Sequence, residues 1–337
     1  MSDLYFPPPP PARWEEASPA SCGWSAEGLE DVARYCESQA SRQLIVLQSG
    51  RIVLERYWDG SGPDDAMDVA SAQKSVVSLM LAALACEGRL SMEDTVSRWL
   101  GRGWSRAEAV HEEHIRLRHL SSMTSGLYDD FTVEAEPGAS WYYNNNAYHQ
   151  LRKVIETCTG ASTQEAFDRL VAEPLGMVGT RWVPRPAMVD PNGWVLSGLY
   201  ASVRHLARVG LLVLGGGSFG SQPVLDPAVL RWSLSPSQAL NPSYGHLWWL
   251  PTQPFAVLPG GEITDPRKSF GGMRVDHPLV GSGPADLVAA FGAGDKRLYA
   301  SPGDQVVVAR LGPPTPDGAA GRSFDEHLWR LLSAART

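Results

Sequence analysis

After Ser25, apolar residues Leu29, Val32, Ala33 and Cys36 recur at three- and four-residue spacing, which predicts a helix with one apolar face. Two short apolar runs, residues 44–47 and 52–54, then flank Gln48-Ser49-Gly50-Arg51 and predict a β-hairpin. Gly60-Ser61-Gly62-Pro63 breaks the chain before a second helix, apolar almost throughout residues 72–85 and expected to stop at Gly88. Ser91-Met92-Glu93-Asp94 reads as a capping box opening a short helix through Trp99 and Leu100.

From about residue 90 to 235 the pattern is mainly helical. Ser162 to Glu165 is a second capping box, ahead of Ala166, Phe167, Leu170 and Val171, with Pro174 as the expected stop. Val203, Leu206, Ala207, Gly210, Leu211 and Leu214 lie on one helical face. After about residue 240 the pattern changes to strands, at 244–250, 286–291, 297–300 and 305–311. The last three are consecutive and turn-separated, as in an antiparallel meander. Residues 324–334 close the chain as a helix.

This order predicts an α/β (α+β) fold: an antiparallel sheet flanked by helices and built from both ends of the chain, with a mainly helical domain inserted. The expected division is a proline-rich arm over 1–24, a sheet domain over 25–89 and 236–337, and a helical domain over 90–235.

Composition narrows the function classes. The chain has 337 residues, 43% of them hydrophobic and 20% charged, as in an ordinary soluble globular protein. A formal net charge of −8 argues against nucleic acid or an anionic membrane as partner. There is no apolar run of membrane-spanning length and no Sec-type leader, so a cytoplasmic location is expected. Pro7 to Pro11 predict an extended strap across the surface. The cysteines, Cys22, Cys36, Cys86 and Cys158, form no Cys-x-x-Cys pair and read as reduced thiols, Cys36 and Cys86 on core-facing helical positions.

The candidate chemistry begins at Ser71 and Lys74, which share a helical face at i and i+3. With 32 serines in the chain, a serine three places before a lysine is a common coincidence, so context must decide. Lys153, Lys268 and Lys296 sit in polar surroundings beside arginine, whereas Lys74 lies in the most apolar helical run. An ammonium buried there is driven toward its neutral, basic form, and a base beside a hydroxyl makes a nucleophile. The bland alternative is a lysine that snorkels to solvent. About seventy residues later, Tyr143-x-Asn145 follows a Pro137-Gly138 turn, where tyrosine and asparagine are also common loop residues.

Ser71-x-x-Lys74 followed by Tyr143-x-Asn145 resembles the serine β-lactamase and penicillin-binding protein superfamily. The pattern is most similar to its class C-like branch of esterases and 6-aminohexanoate-dimer hydrolases. The likeness runs from about residue 25 to 312, through Gly88-Arg89-Leu90-Ser91, His119-Leu120-Ser121-Ser122-Met123-Thr124-Ser125-Gly126 and Ser197-Gly198-Leu199-Tyr200. It implies a β-lactamase-like fold, Ser71 as the acylated nucleophile, Lys74 as its base, and Tyr143 as a second proton carrier whose ionisation a nearby cation would ease. Asn145 would bond Lys74 or the substrate amide.

The family's third element, a Lys-Thr-Gly or His-x-Gly strand, has Gly292-Ala293-Gly294 as its counterpart, with one strand N–H joining that of Ser71 as oxyanion donor. The motif's cation is absent, which turns the expectation away from a β-lactamase. A strand crossover without ligand is the alternative for these glycines.

Rival motifs carry less. Gly216-x-Ser218-x-Gly220 follows a helix instead of a strand and reads as helix stop and loop. His111 and His114, in His111-Glu112-Glu113-His114, lie in a charged stretch expected to be solvated, and no metal site is expected. Trp248 and Trp249 alternate in a predicted strand, one ring toward the core and the other toward a cleft.

The resulting expectation is a serine hydrolase acting on a small ester or amide, requiring no metal or organic cofactor, with no nucleic-acid or membrane partner. A penicillin-binding or D-aminopeptidase-like protein, or a sensor that holds its acyl group, stays open, as do substrate and oligomeric state.

Overall fold

The Ser25 hydroxyl accepts from the N–H of Gly28 and starts α1 (Ala26–Ser38), whose buried face is Leu29, Val32, Ala33 and Cys36, as the spacing predicts. The structure is a computed structural model and describes residues 4–319 and 323–337. The first three residues of the expected arm, and residues 320–322, lie outside the described residues.

The hairpin is β1 (Gln43–Gln48) and β2 (Arg51–Tyr57), turned at Ser49 and Gly50, both at positive φ. A two-residue strand, β3 (Met67–Asp68), leads through a 3₁₀ turn at Ala70–Ala72 into α2 (Gln73–Cys86). Residues 73 to 84 of α2 are all buried, as expected for a helix apolar on every side. Gly88 follows at φ +68. α3 (Asn145–Thr159) is capped by Asn144, and α4 (Val203–Leu214) by Ser202.

Between α3 and α4 the chain departs from the helical expectation, forming β4 (Arg181–Val189) and β5 (Val195–Ala201), which join β3 in a sheet of order β3-β5-β4. Pro184 and Pro186 hide β4 from the sequence pattern, since proline cannot donate to a ladder. As an edge strand with a register shift after Pro184, β4 tolerates them.

Beyond α4, the strand expected at 244–250 is a tight reversal instead. Leu247 has φ +65, Gly245 N donates to Trp248 O at 2.8 Å, and Tyr244 and Trp249 form an isolated bridge. A small hairpin, β6 (Ala256–Leu258) and β7 (Met273–Val275), precedes the expected meander: β8 (Val288–Gly292), β9 (Lys296–Ser301) and β10 (Val306–Leu311). The last helix, α5 (Phe324–Ala334), has the predicted bounds.

The two chain ends build one antiparallel sheet of order β8-β9-β10-β1-β2. Gln43 pairs with Leu311 on one side and Tyr57 on the other, so β1 is central. Helices cover both faces. On β9, Leu298 points toward α4, where Gly210 lets Val307 come so close that a Cβ would lie 2.5 Å from its Cγ1. Arg297 and Tyr299 point the other way, to Asp325 and Trp329 of α5. The fold is the expected α/β (α+β) architecture, an antiparallel sheet flanked by helices.

The proline arm runs as a strap. Tyr5 N donates to Ser49 O at 3.0 Å, and the indole of Trp14 donates to Gly50 O at 2.8 Å. Arg208 of α4 donates to the carbonyls of Pro7, Pro8 and Leu175.

Other local expectations need correction. Ser91 and Asp94 bond each other's turn, but the helix begins later, at Val96, after an extended Thr95. Pro174 does not stop its helix. The path continues through a π turn at Asp168–Ala172 to Leu175, and Gly176 at φ +66 ends it, because proline in a first or new turn forfeits no bond. Cys36 is buried, but Cys86, the last residue of α2, is exposed.

The His111–His114 stretch is not simply solvated either. Glu112 is buried and accepts from Gly103 N, Ser105 N and the hydroxyls of Ser97 and Ser105. Among the described residues no group of three side chains is placed to hold a metal ion. Among the same residues no helix is long and apolar enough to cross a membrane.

Candidate active site

Ser71 sits in the 3₁₀ turn at the mouth of α2, and Lys74 one turn on, inside the helix. The amine does not snorkel. Lys74 is only 3% exposed, and its Nζ lies 3.1 Å from Ser71 Oγ and donates to Asn145 Oδ1 at 2.8 Å. Two aromatic faces complete the enclosure, with Nζ 4.8 Å from the ring centroid of Tyr143 and 4.5 Å from that of Tyr148. Among the described residues no carboxylate pairs with it. Burial, aided by the nearby Arg185 guanidinium, lowers the amine from its ordinary 10.5 to about 7.

Tyr143 and Asn145 reach this point because the chain turns there from extended backbone into α3. Asn144 caps the helix by accepting from Ala147 N at 2.9 Å, and donates to the carbonyls of Leu127 and Tyr128. Tyr142 and Asn146 also face away from the serine, both bonding Asp129. Alternate residues 143 and 145 are thereby left for Ser71 and Lys74. Tyr143 hydrogen-bonds Ser71, yet burial outweighs that contact and pushes the phenol up to about 12. An easily ionised tyrosine, the expectation from the sequence, is thus not found in the resting site. The lysine, lowered to about 7, gives the phenolate no lasting cation as pH rises.

The small residues at the end of β8 fit against the serine's turn. A Cβ on Gly292 would lie 2.3 Å from Val69 O and 3.2 Å from Ala72 N, so glycine is needed here for close approach of two backbones. Gly294 takes the left-handed turn at φ +74, and Ala293 O accepts from Lys296 Nζ at 3.0 Å. A cation therefore stands beside this element after all, supplied by β9.

Trp249 is bridged to Ala289 at the free edge of β8, which carries its ring to Tyr143. The two stack at 6.3 Å, Phe291 continues the stack at 5.7 Å from Trp249, and Phe270 meets Tyr143 edge-on at 6.0 Å. Both Trp248 and Trp249 are buried, so neither follows the simple core-and-cleft alternation. The segments around 128–140 and 254–284 clasp each other beside this wall. Asp129 N donates to Arg267 O at 3.0 Å, and Lys268 pairs with Glu134.

All seven sequence-derived candidates fall into this one region: Ser71, Lys74, Tyr143 and Asn145 in mutual reach, and Gly292, Ala293 and Gly294 at the adjoining strand end. Sequence reasoning missed Tyr148, Asp68, Arg185 and the aromatic wall. Tyr148 carried a weak hint, lying one helical turn after Asn145. Arg185, between two prolines in an unforeseen strand, carried none. Gly216 to Gly220 are remote from these residues in sequence and form the predicted stop and loop, closing on a two-residue hairpin, Ser218–Phe219 with Gln222–Pro223.

Known proteins share this arrangement of chain. An uncharacterised protein of Alkalihalophilus pseudofirmus is 24% identical over 263 residues, spanning 67% of this chain and 75% of its own. Esterase EstB of Burkholderia gladioli is 30% identical over 148 residues, 34% of this chain and 38% of the esterase, so the match covers well under half of that relative. In three dimensions, a Bacillus anthracis protein proposed to be a 6-aminohexanoate-dimer hydrolase superposes with a TM-score of 0.70 at 17% identity, over 99% of this chain and 89% of its own. That likeness speaks for the fold. Residues 36–309, which carry the serine's turn, the tyrosine segment and the glycine strand, match the sequence family described as Beta-lactamase, and the chain belongs to that family.

Proposed function

We propose that the protein is a serine hydrolase that cleaves a small ester or amide through a covalent acyl-enzyme on Ser71. One observation carries this reading: a buried amine, lowered to about 7 and 3.1 Å from a serine hydroxyl, with no carboxylate partner among the described residues. The family's hydrolases, with an esterase among this chain's relatives, support the reaction class.

In the proposed cycle Lys74 accepts the Ser71 proton as Oγ bonds the substrate carbonyl carbon. The N–H groups of Ser71 and of the Ala293 region stabilise the resulting oxyanion. Collapse of this intermediate breaks the bond to the leaving group, which takes the Tyr143 proton, and the lysine ammonium reprotonates the phenolate. Water, deprotonated by the same pair, then releases the acid. A phenol held near 12 suits this donor role, since it stays protonated at neutral pH. The aromatic wall favours an apolar acyl chain.

A panel of short p-nitrophenyl esters, 6-aminohexanoate dimer and nitrocefin tests the proposal. Turnover of an ester or the linear amide is expected, with kcat/KM falling about tenfold per pH unit below an acid limb near pH 7. No turnover of any substrate, or a rate flat from pH 5 to 8, would overturn it. Gly292→Ala gives a local check. Its methyl would press on a backbone carbonyl that no rotamer change can move, so β8 must retreat from the serine's turn. A loss of roughly 1–3 kcal/mol in stability and at least tenfold in kcat/KM is expected from thermal melts and ester assays.

A further inference from the structure

Immediately before the serine the backbone is in an unusual state. Ala70 has φ +49, a left-handed conformation that L-residues other than glycine and asparagine seldom adopt. Something must hold it. Asp68, the last residue of β3, turns its carboxylate forward, and Oδ1 accepts from Ala70 N at 2.8 Å. That carboxylate is itself gripped by Arg185, whose Nη2 lies 2.6 Å and 2.5 Å from its two oxygens.

Arg185 belongs to β4, on the far side of β5 from Asp68. It reaches across β5 at Gly198, where a Cβ would lie 2.2 Å from Nη2 and 2.6 Å from Cζ. Three strands thus converge on one N–H. The pair is partly open to solvent, with 24% of the Arg185 side chain and 34% of the Asp68 side chain exposed. An ion pair so exposed contributes little to global stability, which leaves its local geometry as the reason for the construction.

We propose that Asp68 and Arg185 are positioning residues for the nucleophile: the carboxylate holds the left-handed turn that aims Ser71 at Lys74, and the guanidinium fixes the carboxylate. The inference deepens the serine-hydrolase reading and rests on it. The groups facing the Lys74 amine are Ser71 on its own segment, Tyr143, Asn145, Tyr148 and His149 from the α3 side, and Arg185 from β4. Burial keeps His149 and both tyrosines uncharged near neutrality, and Arg152 lies behind Tyr148. Lys296, beside Ala293, interacts with Asp68. Arg185 is the charge that bears on the amine directly.

Four variants test the proposal: Asp68→Ala, Asp68→Asn, Arg185→Gln and Arg185→Lys. The readouts are the rate of Ser71 labelling by a fluorophosphonate, the pH dependence of kcat/KM on a p-nitrophenyl ester, and a thermal melt. Asp68→Ala is expected to slow labelling roughly tenfold or more, and Asp68→Asn, whose amide oxygen can still accept from Ala70, to recover most of the rate. Arg185→Gln should move the acid limb upward by about half to one pH unit, and Arg185→Lys should return it. Should the alanine variant fold poorly, Arg185→Gln set against Arg185→Lys keeps the comparison intact.

A folded Asp68→Ala with the wild-type labelling rate, or a folded Arg185→Gln with the wild-type acid limb, would overturn the proposal, as would losses seen only in the melt. If the wild-type protein takes no label at all, the serine-hydrolase reading falls and this proposal with it. Label on the wild type with indifferent variants removes this proposal alone.

Discussion

Ser71→Ala is expected to lower ester or amide turnover by at least about 10³-fold, because a covalent route without its nucleophile retains only what binding and oxyanion donors supply. The fold should survive. Ser71 is only part-buried, in a short turn before α2, and its hydroxyl meets Lys74 and Tyr143 instead of bracing a strand or helix. Its melting temperature should stay within a few degrees of wild type, since a single small truncation at such a site changes stability by about 1 kcal/mol or less. Steady-state hydrolysis and a circular dichroism melt on the same preparation check both halves. Turnover retained in the folded variant would remove Ser71 from the mechanism.

Lys74→Met carries the second large effect and a less obvious companion. Acylation should slow by about 10²–10⁴-fold, the usual worth of a positioned general base. Stability should respond in the opposite sense at neutral pH. The buried amine falls from 10.5 in the unfolded chain to about 7 in the folded one, so between those values the folded state binds fewer protons. Stability of the wild type therefore rises with pH across that window, and below pH 7 the chain carries the whole burden of desolvating the amine. A methionine fills similar space without that burden. Denaturant midpoints from pH 6 to 10 should rise in the wild type relative to the variant, with the variant the more stable at pH 6. Parallel profiles and near-normal rates would mean that the amine titrates as an ordinary surface group.

Both predictions rest on residues that could be read from the chain, and the reason is local. Ser71 and Lys74 are one helical turn apart, and an apolar run around a lysine signals burial before any tertiary contact is known. The hairpin, the meander and α4 were legible for the same reason, since their apolar periods are determined within each segment.

What stayed hidden depends on distant partners. β4 contradicts strand chemistry with its two prolines and exists because it can pair along one edge with β5. The 244–250 segment has the apolar residues of a strand but folds back at Leu247, whose N–H finds Ser121 O. Tyr143 was expected to ionise readily beside a cation. Only the enclosure formed by Tyr148, Asn145 and the phenol itself shows that the amine is easily discharged near neutrality. The Arg185–Asp68 clasp needed three strands in register before either residue could be connected to the serine.

In this mechanism one hydroxyl becomes covalently acylated because the amine beside it is uncharged. Intact mass measured during turnover of p-nitrophenyl acetate, with peptide mapping of the quenched protein, tests it most directly. A single acetyl adduct is expected, on the peptide carrying Ser71, appearing faster as pH rises through 7 and absent from Ser71→Ala. Hydrolysis proceeding with no adduct, or an adduct on another residue at the catalytic rate, would contradict it.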